Sequence, residues 1–304
     1  MIKNRAIGFF SCSCETLIKK GGLVVQKVRP DRASYLYIQG ASVYFEYYRC
    51  QAQEAKGTLL LLHGFLASSA CFHQLVPYLH KDYHLISCDL PVFGRSSKAP
   101  GTAYSLYGYA RLVVELAARL GHAHVTIVGH SMGGQVALHA AKAFPDQIDR
   151  LVLLASSGYL NRVKRTYRAI SHLPFAAPAI YAAIRRQDVR AFLCEAVYDK
   201  RVVTKAMVNA YTLPLSDASI GKGLILLARQ REGDLTSAAL RTIAKPCLII
   251  NGREDPVIPV QTSVRLAKDL ANSQLILLKR CGHLLPEEKP SLIAKHMKRF
   301  LRKT

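Results

Sequence analysis

The 304-residue chain is half hydrophobic, with 42 Lys or Arg against 20 Asp or Glu and a formal net charge of +22. This composition excludes a disordered tail and leaves enough chain for one large domain, or a core domain with an insertion. The charge attracts an acidic carrier protein, an anionic membrane surface or an acidic substrate, and does not choose among them. With no basic stripe interleaved with aromatics and no nucleic-acid motif, nucleic acid is not an expected partner.

The N-terminal residues 1–32 are basic and mixed, and read as a short helical or loose arm. Lys3 and Arg5 precede an apolar stretch at 6–10 that is too short for a secretory signal core. No apolar segment approaches the roughly 20 residues that span a bilayer. The expected address is cytoplasmic, with loose membrane contact. The eight cysteines are irregularly spaced, which fits buried free thiols better than a disulfide framework. Cys12 and Cys14 form a C-x-C, not a C-x-x-C, so no metal is expected.

Residues 35–38 and 43–47 are rich in β-formers and flank Gln39-Gly40, which reads as two strands and a turn. The pattern then changes to continuous apolar runs at 59–62, 85–88, 125–128, 151–154, 248–250 and 275–278. Runs that are apolar on both faces mark strands buried between helix layers. Between them, residues 107–120, 132–143, 259–270 and 290–301 show helical spacing. The alternation predicts an α/β, doubly wound sheet whose reactive groups gather at the carboxyl ends of the strands.

The alternation breaks between about 158 and 244, where no core strand is evident. Helical patterns at 179–186 and 189–198 there predict a helical cap over the site. The expected organisation is therefore an arm at 1–32, a core at 33–157 and 245–304, and a cap at 158–244. Nine Lys or Arg against three acids fall between Arg162 and Arg201, so much of the excess charge lies on the cap. A solvated helix face explains this as well as an anion-binding surface does.

Gly129-His130-Ser131-Met132-Gly133 follows a buried run and opens a helix. A serine on a sharp strand-to-helix turn presents its hydroxyl to the cleft, and glycines on either side avoid Cβ clashes. The alternative is a glycine-rich helix start with a capping serine. A serine nucleophile needs a base, and the base needs an orienting carboxylate. His283 follows the last core run and is the expected base. Asp255, after Asn251-Gly252-Arg253-Glu254, is the expected acid, with Glu254 as its alternative. The oxyanion hole requires two backbone N–H groups, assigned to Phe65 and Met132. His63 is read as ordering that loop. Gly64, Leu66, His130, Tyr159 and Leu284 are the expected pocket residues.

His63-Gly64-Phe65, Asp89-Leu90-Pro91 with Gly94-Arg95-Ser96, Gly129 to Gly134, Asp255 and Gly282-His283 together resemble the α/β-hydrolase superfamily. They are most similar to its small, helical-capped branch of esterases, carbon–carbon bond hydrolases, epoxide hydrolases and haloperoxidase-like enzymes. The resemblance covers roughly residues 40–302. It implies a mostly parallel eight-stranded sheet with a cap between strands six and seven, and gives the triad roles to Ser131, Asp255 and His283. One departure is Val92, where the family pattern carries glycine. Epoxide hydrolases and haloalkane dehalogenases use an aspartate nucleophile, and the dehalogenases hold halide with tryptophan; Ser131 and a tryptophan-free chain argue against both.

The expected activity is two-step cleavage of a small to medium acyl or aromatic carboxylic ester, without cofactor or metal. The alternatives are a thioesterase or acyl-carrier-linked esterase, a carbon–carbon bond hydrolase, and a slow-turnover ligand receptor on the same fold.

Overall fold

The computed structural model describes residues 17–20, 23–26, 28–98 and 104–302. Cys12 and Cys14 lie outside them. The expected helical or loose arm is in part an antiparallel pair, β1 (Leu17–Lys20) with β2 (Leu23–Gln26). Val24 and Val25 at its centre are β-branched and favour extended backbone.

The main sheet has eight strands. An edge hairpin, β3 (Arg32–Ile38) and β4 (Ala41–Tyr48), turns through Gln39 and Gly40, both at positive φ. The remaining strands are β5 (Thr58–Leu62), β6 (His84–Cys88), β7 (Val125–His130), β8 (Ile148–Leu154), β9 (Cys247–Gly252) and β10 (Ser273–Leu278). Their order across the sheet is β10-β9-β8-β7-β5-β6-β4-β3. The pairings of β3 with β4 and of β4 with β6 are antiparallel, and all others are parallel.

The apolar runs are strands for the expected reason. Leu60, Leu62, Ile127, Leu151, Leu153 and Ile249 pack into one core on one face. Leu59, Leu61, Val128, Val152, Leu154 and Ile250 pack into a second core on the other. Successive side chains point to opposite faces, so a strand covered on both sides must be apolar throughout. Truncating one of these leucines to alanine costs about 2–5 kcal/mol.

The helices are α1 (Val76–Leu79), α2 (Leu106–Arg119) and α3 (Met132–Ala143), then six between β8 and β9. Those are α4 (Arg165–Ile170), α5 (Ala176–Arg185), α6 (Val189–Ala196), α7 (Lys205–Thr212), α8 (Ile220–Gln230) and α9 (Ser237–Arg241). Then follow α10 (Val260–Asp269), α11 (Leu285–Glu288) and α12 (Pro290–Leu301). The six-helix segment falls between the sixth and seventh strands of the main sheet. Ser105 starts α2, its hydroxyl accepting from Gly108 N at 2.9 Å. Helix α3 is buried over residues 132–141 because it lies between the sheet and α2. No helix among the described residues is long and apolar enough to cross a membrane.

The chain passes from β5 to β6 on one side, then returns to β7 on the other side of β5. Leu62 pairs with Gly129, so the carboxyl ends of β5 and β7 are level. A crevice opens where strand order reverses, and ligands bind there.

Candidate active site

The turn after β7 places Ser131 at φ 54° and ψ −117°, a conformation strained for a residue with a Cβ. The close approach of backbone around it explains the flanking glycines. A Cβ on Gly129 would strike the backbone of Gly133 and Gly134, and one on Gly133 would strike the Leu62 and His63 carbonyls. The Ser131 backbone is held by Ser131 N to Leu154 O at 3.0 Å and by Ser157 N to Ser131 O at 3.1 Å. Its hydroxyl does not cap α3, which removes the capping-serine reading.

His283 sits on the loop after β10 and Asp255 on the loop after β9. The His283 Nδ1–H donates to Asp255 Oδ2 at 2.9 Å, and both side chains are almost fully buried. The other carboxylate oxygen accepts from Val257 N and Ile258 N, each at 2.8 Å. Asp255 is thereby fixed in orientation and directs the Nε2 of His283 away from itself. Glu254, the alternative acid, accepts instead from Cys281 N at 3.0 Å and so clasps the backbone of the loop that carries His283.

The Ser131 turn and the His283 loop meet through His130. Its Nε2–H donates to the His283 carbonyl at 2.9 Å, and the two imidazoles stand 4.9 Å apart at a tilt of 46°. Burial, aided by the neighbouring His283 imidazole, lowers the His130 pKa to about 3, so this ring stays neutral. The Ser131 hydroxyl makes no hydrogen bond to any described residue. Such contacts are often long in ligand-free sites and tighten when substrate binds.

The loop after β5 crosses over the serine. A Cβ on Gly64 would lie 2.9 Å from the Ser131 Cβ. Glycine is therefore needed for close approach, and Phe65 follows it directly in the chain. His63 orders the loop: its Nδ1–H donates to Gly64 O at 2.7 Å and its Nε2 accepts from Leu90 N at 2.9 Å. These bonds fix its tautomer, and burial lowers its pKa. Among the described residues no acceptor takes the Phe65 or Met132 amide. Met132 N is a free first-turn donor at the positive end of α3.

The expected pocket residues divide. Gly64 stands beside the serine turn, and Leu66, two residues on, lines a largely apolar cavity of about 270 Å³ with Ala183, Ile184, Gln187, Val189, Phe192, Tyr211 and Leu215. His130 is buried beneath the turn. Leu284 is packed into the second core, at the start of α11. Tyr159 is a correction: its hydroxyl donates to Asp269 at 2.9 Å and its ring lies 3.6 Å under the Arg265 guanidinium, so it turns onto α10 and away from the serine.

Two features escape a reading of the sequence. Glu288 accepts from Gly282 N at 2.8 Å with one oxygen, and from Tyr198 N at 2.9 Å and Asp199 N at 3.3 Å with the other. His283 N also donates to Ala196 O at 2.7 Å. The histidine loop is thus stitched to the end of α6. The signal would have been a carboxylate a few residues past the histidine. The second is the role of Asp89, singled out in the sequence only as part of a motif: its two oxygens accept from Ser69 N at 2.6 Å and Arg95 N at 2.8 Å. This fixes the loop in which Val92 adopts φ 83°, the conformation that a glycine would take. No group of three or more His, Cys, Asp or Glu among the described residues is arranged to hold a metal ion.

A sequence profile of the alpha/beta hydrolase fold matches residues 57–290. The chain belongs to the α/β-hydrolase family. An uncharacterised hydrolase of Bacillus subtilis, YugF, is 37% identical over 265 residues, covering 87% of this chain and 96% of that protein. A 2-hydroxymuconate semialdehyde hydrolase of a Pseudomonas species is 29% identical over 232 residues, covering 74% and 80% respectively. The solved structure of a thermophilic esterase from Thermogutta terrifontis superposes with a TM-score of 0.71 at 20% identity, covering 90% of this chain and 98% of that one. The chain is a hydrolase of this fold, with the eight-stranded, mostly parallel sheet the family implies.

Proposed function

We propose that this hydrolase cleaves a small to medium carboxylic ester through an acyl-enzyme on Ser131. The reading is carried by one arrangement: an uncapped serine hydroxyl on a strained turn, beside a loop where Asp255 and His283 are already paired. His283 takes the Ser131 proton as the oxygen attacks the ester carbonyl. The Phe65 and Met132 amides hold the oxyanion, and the alcohol leaves with the proton from His283. Water then attacks the acyl-enzyme, with His283 again as base and Asp255 steadying the imidazolium.

The apolar cavity beside Leu66 suits an acyl or aromatic group of modest size, with residues 158–244 acting as the cap that encloses it. The proposed address is cytoplasmic, in keeping with the free thiols of Cys50, Cys71, Cys88, Cys194, Cys247 and Cys281. An acidic carrier remains a proposed alternative source of the acyl group, on the strength of the +22 charge.

The name of the Pseudomonas relative favours a second reading, carbon–carbon bond hydrolysis, since the same serine geometry serves an attacked aldehyde or ketone carbonyl. Turnover of p-nitrophenyl butyrate against turnover of a 2-hydroxymuconate semialdehyde separates the two. The expected result is multiple turnover of the ester, abolished in Ser131→Ala. Faster cleavage of the dienoate would replace the ester reading with the second one. Failure to turn over either substrate would favour the slow receptor.

A further inference from the structure

We infer that the exposed segment around α4 docks on an anionic lipid bilayer. Tyr167, Ile170, Leu173 and Phe175 are 63%, 54%, 44% and 62% exposed, within nine residues of chain. Tyr167 and Ile170 share one face of α4, because residues three apart are neighbours on a helix. The bonds Leu173 N to Ile170 O and Ala176 N to Leu173 O, at 3.0 and 3.1 Å, keep the next two side chains in adjoining turns. The four exposed apolar side chains are gathered within nine residues of chain.

The charge along this stretch of chain has one sign. Arg162, Lys164 and Arg165 are exposed on or just before α4, and none makes an ion pair among the described residues. No Asp or Glu occurs between Asp149 and Asp188. A solvated face would normally mix signs and carry few large apolar groups. The platform is also fixed: Arg229 of α8 donates from Nε to Ser171 Oγ at 2.9 Å and from its guanidinium to Ser171 O.

Exposed aromatic and aliphatic groups preceded by a cluster of cations match the boundary of an anionic bilayer, where apolar groups enter the acyl region and cations meet headgroups. An acidic protein would satisfy the charge, yet would need a groove of matching shape for the four apolar groups. The bilayer accommodates single exposed side chains without complementary shape.

The test is sedimentation of the full chain with vesicles of phosphatidylcholine alone, or with about 30 mol% phosphatidylglycerol. Binding only to the anionic vesicles, weakening with salt, is expected. Lys164→Gln with Arg165→Gln, and separately Tyr167→Ser with Phe175→Ser, should each lower the partition coefficient at least about tenfold. Their melting temperatures and p-nitrophenyl butyrate turnover should match the parent. Should the aromatic pair fail to fold, the Lys164/Arg165 pair decides alone. Failure of the parent to bind, parent-like binding by the variants, or patch-dependent binding of polyglutamate without vesicle binding would each overturn the inference.

Discussion

Glu254 and Asp255 are adjacent in the chain and serve different groups: Asp255 Oδ2 accepts from the His283 ring at 2.9 Å, whereas Glu254 accepts from the Cys281 backbone at 3.0 Å. One carboxylate orients a side chain and the other ties down the loop that carries it. Asp255→Asn should lower kcat about 1,000-fold or more, because the amide favours the wrong tautomer of His283. Glu254→Gln should keep kcat within about tenfold and cost about 1–2 kcal/mol in a urea melt. The reverse ranking would exchange their roles.

Glu288 offers a test of coupling between α6 and the histidine loop. Its carboxylate accepts three amides, and a glutamine side chain has one oxygen to offer where two are used. Glu288→Gln should lower kcat more than it changes KM, since it loosens His283 and leaves the cavity walls in place. Stability should fall by about 1–3 kcal/mol. A change confined to KM would place Glu288 in substrate binding instead.

Val92 and Gly223 form a tight pair. A Cβ on Gly223 of α8 would lie 3.0 and 3.1 Å from the two Val92 methyls, and Val92 is itself held at φ 83°. Gly223→Ala alone should therefore cost about 1–2 kcal/mol, despite the better helix propensity of alanine. In a Val92→Gly background the same change should be neutral or stabilising. Additive effects in the double-mutant cycle would show that the contact does not constrain α8.

The pH dependence of stability should carry the signature of His130. Its folded pKa is lowered from 6.5 to about 3 by burial, so the unfolded chain binds this proton more readily. The stabilisation it brings is complete above pH 6.5 and is lost as pH falls towards 3. Its share of the slope is up to about 1.4 kcal/mol per pH unit. His130→Gln should flatten urea-midpoint profiles across that window, after allowance for its lower starting stability. An unchanged slope would mean that His130 protonates without cost.

The fold was legible because its strands are covered on both faces: residues 59–62, 125–128 and 151–154 could be read as buried without any tertiary information. Helices at 132–143 and 290–301 carry matching bounds in the structure, since each begins at a sharp turn or a proline. The N-terminal hairpin was harder, because four-residue strands leave too short a periodic signal. The pairing of Asp255 with His283 follows from strand order, which brings the ends of β9 and β10 together. Tyr159 was misplaced because an aromatic residue just past a strand end can turn either way; Asp269 and Arg265, more than 100 positions on, decide it. Glu288 escaped notice for the same reason, its partners at 198 and 199 being remote in sequence.

The reactivity of the serine is tested most directly by fluorophosphonate labelling followed by peptide mass mapping. Stoichiometric modification at Ser131, slowed at least about 100-fold in His283→Ala, is the expected result. An unmodified Ser131, or equal labelling rates with and without the imidazole, would contradict the proposed nucleophile and its base.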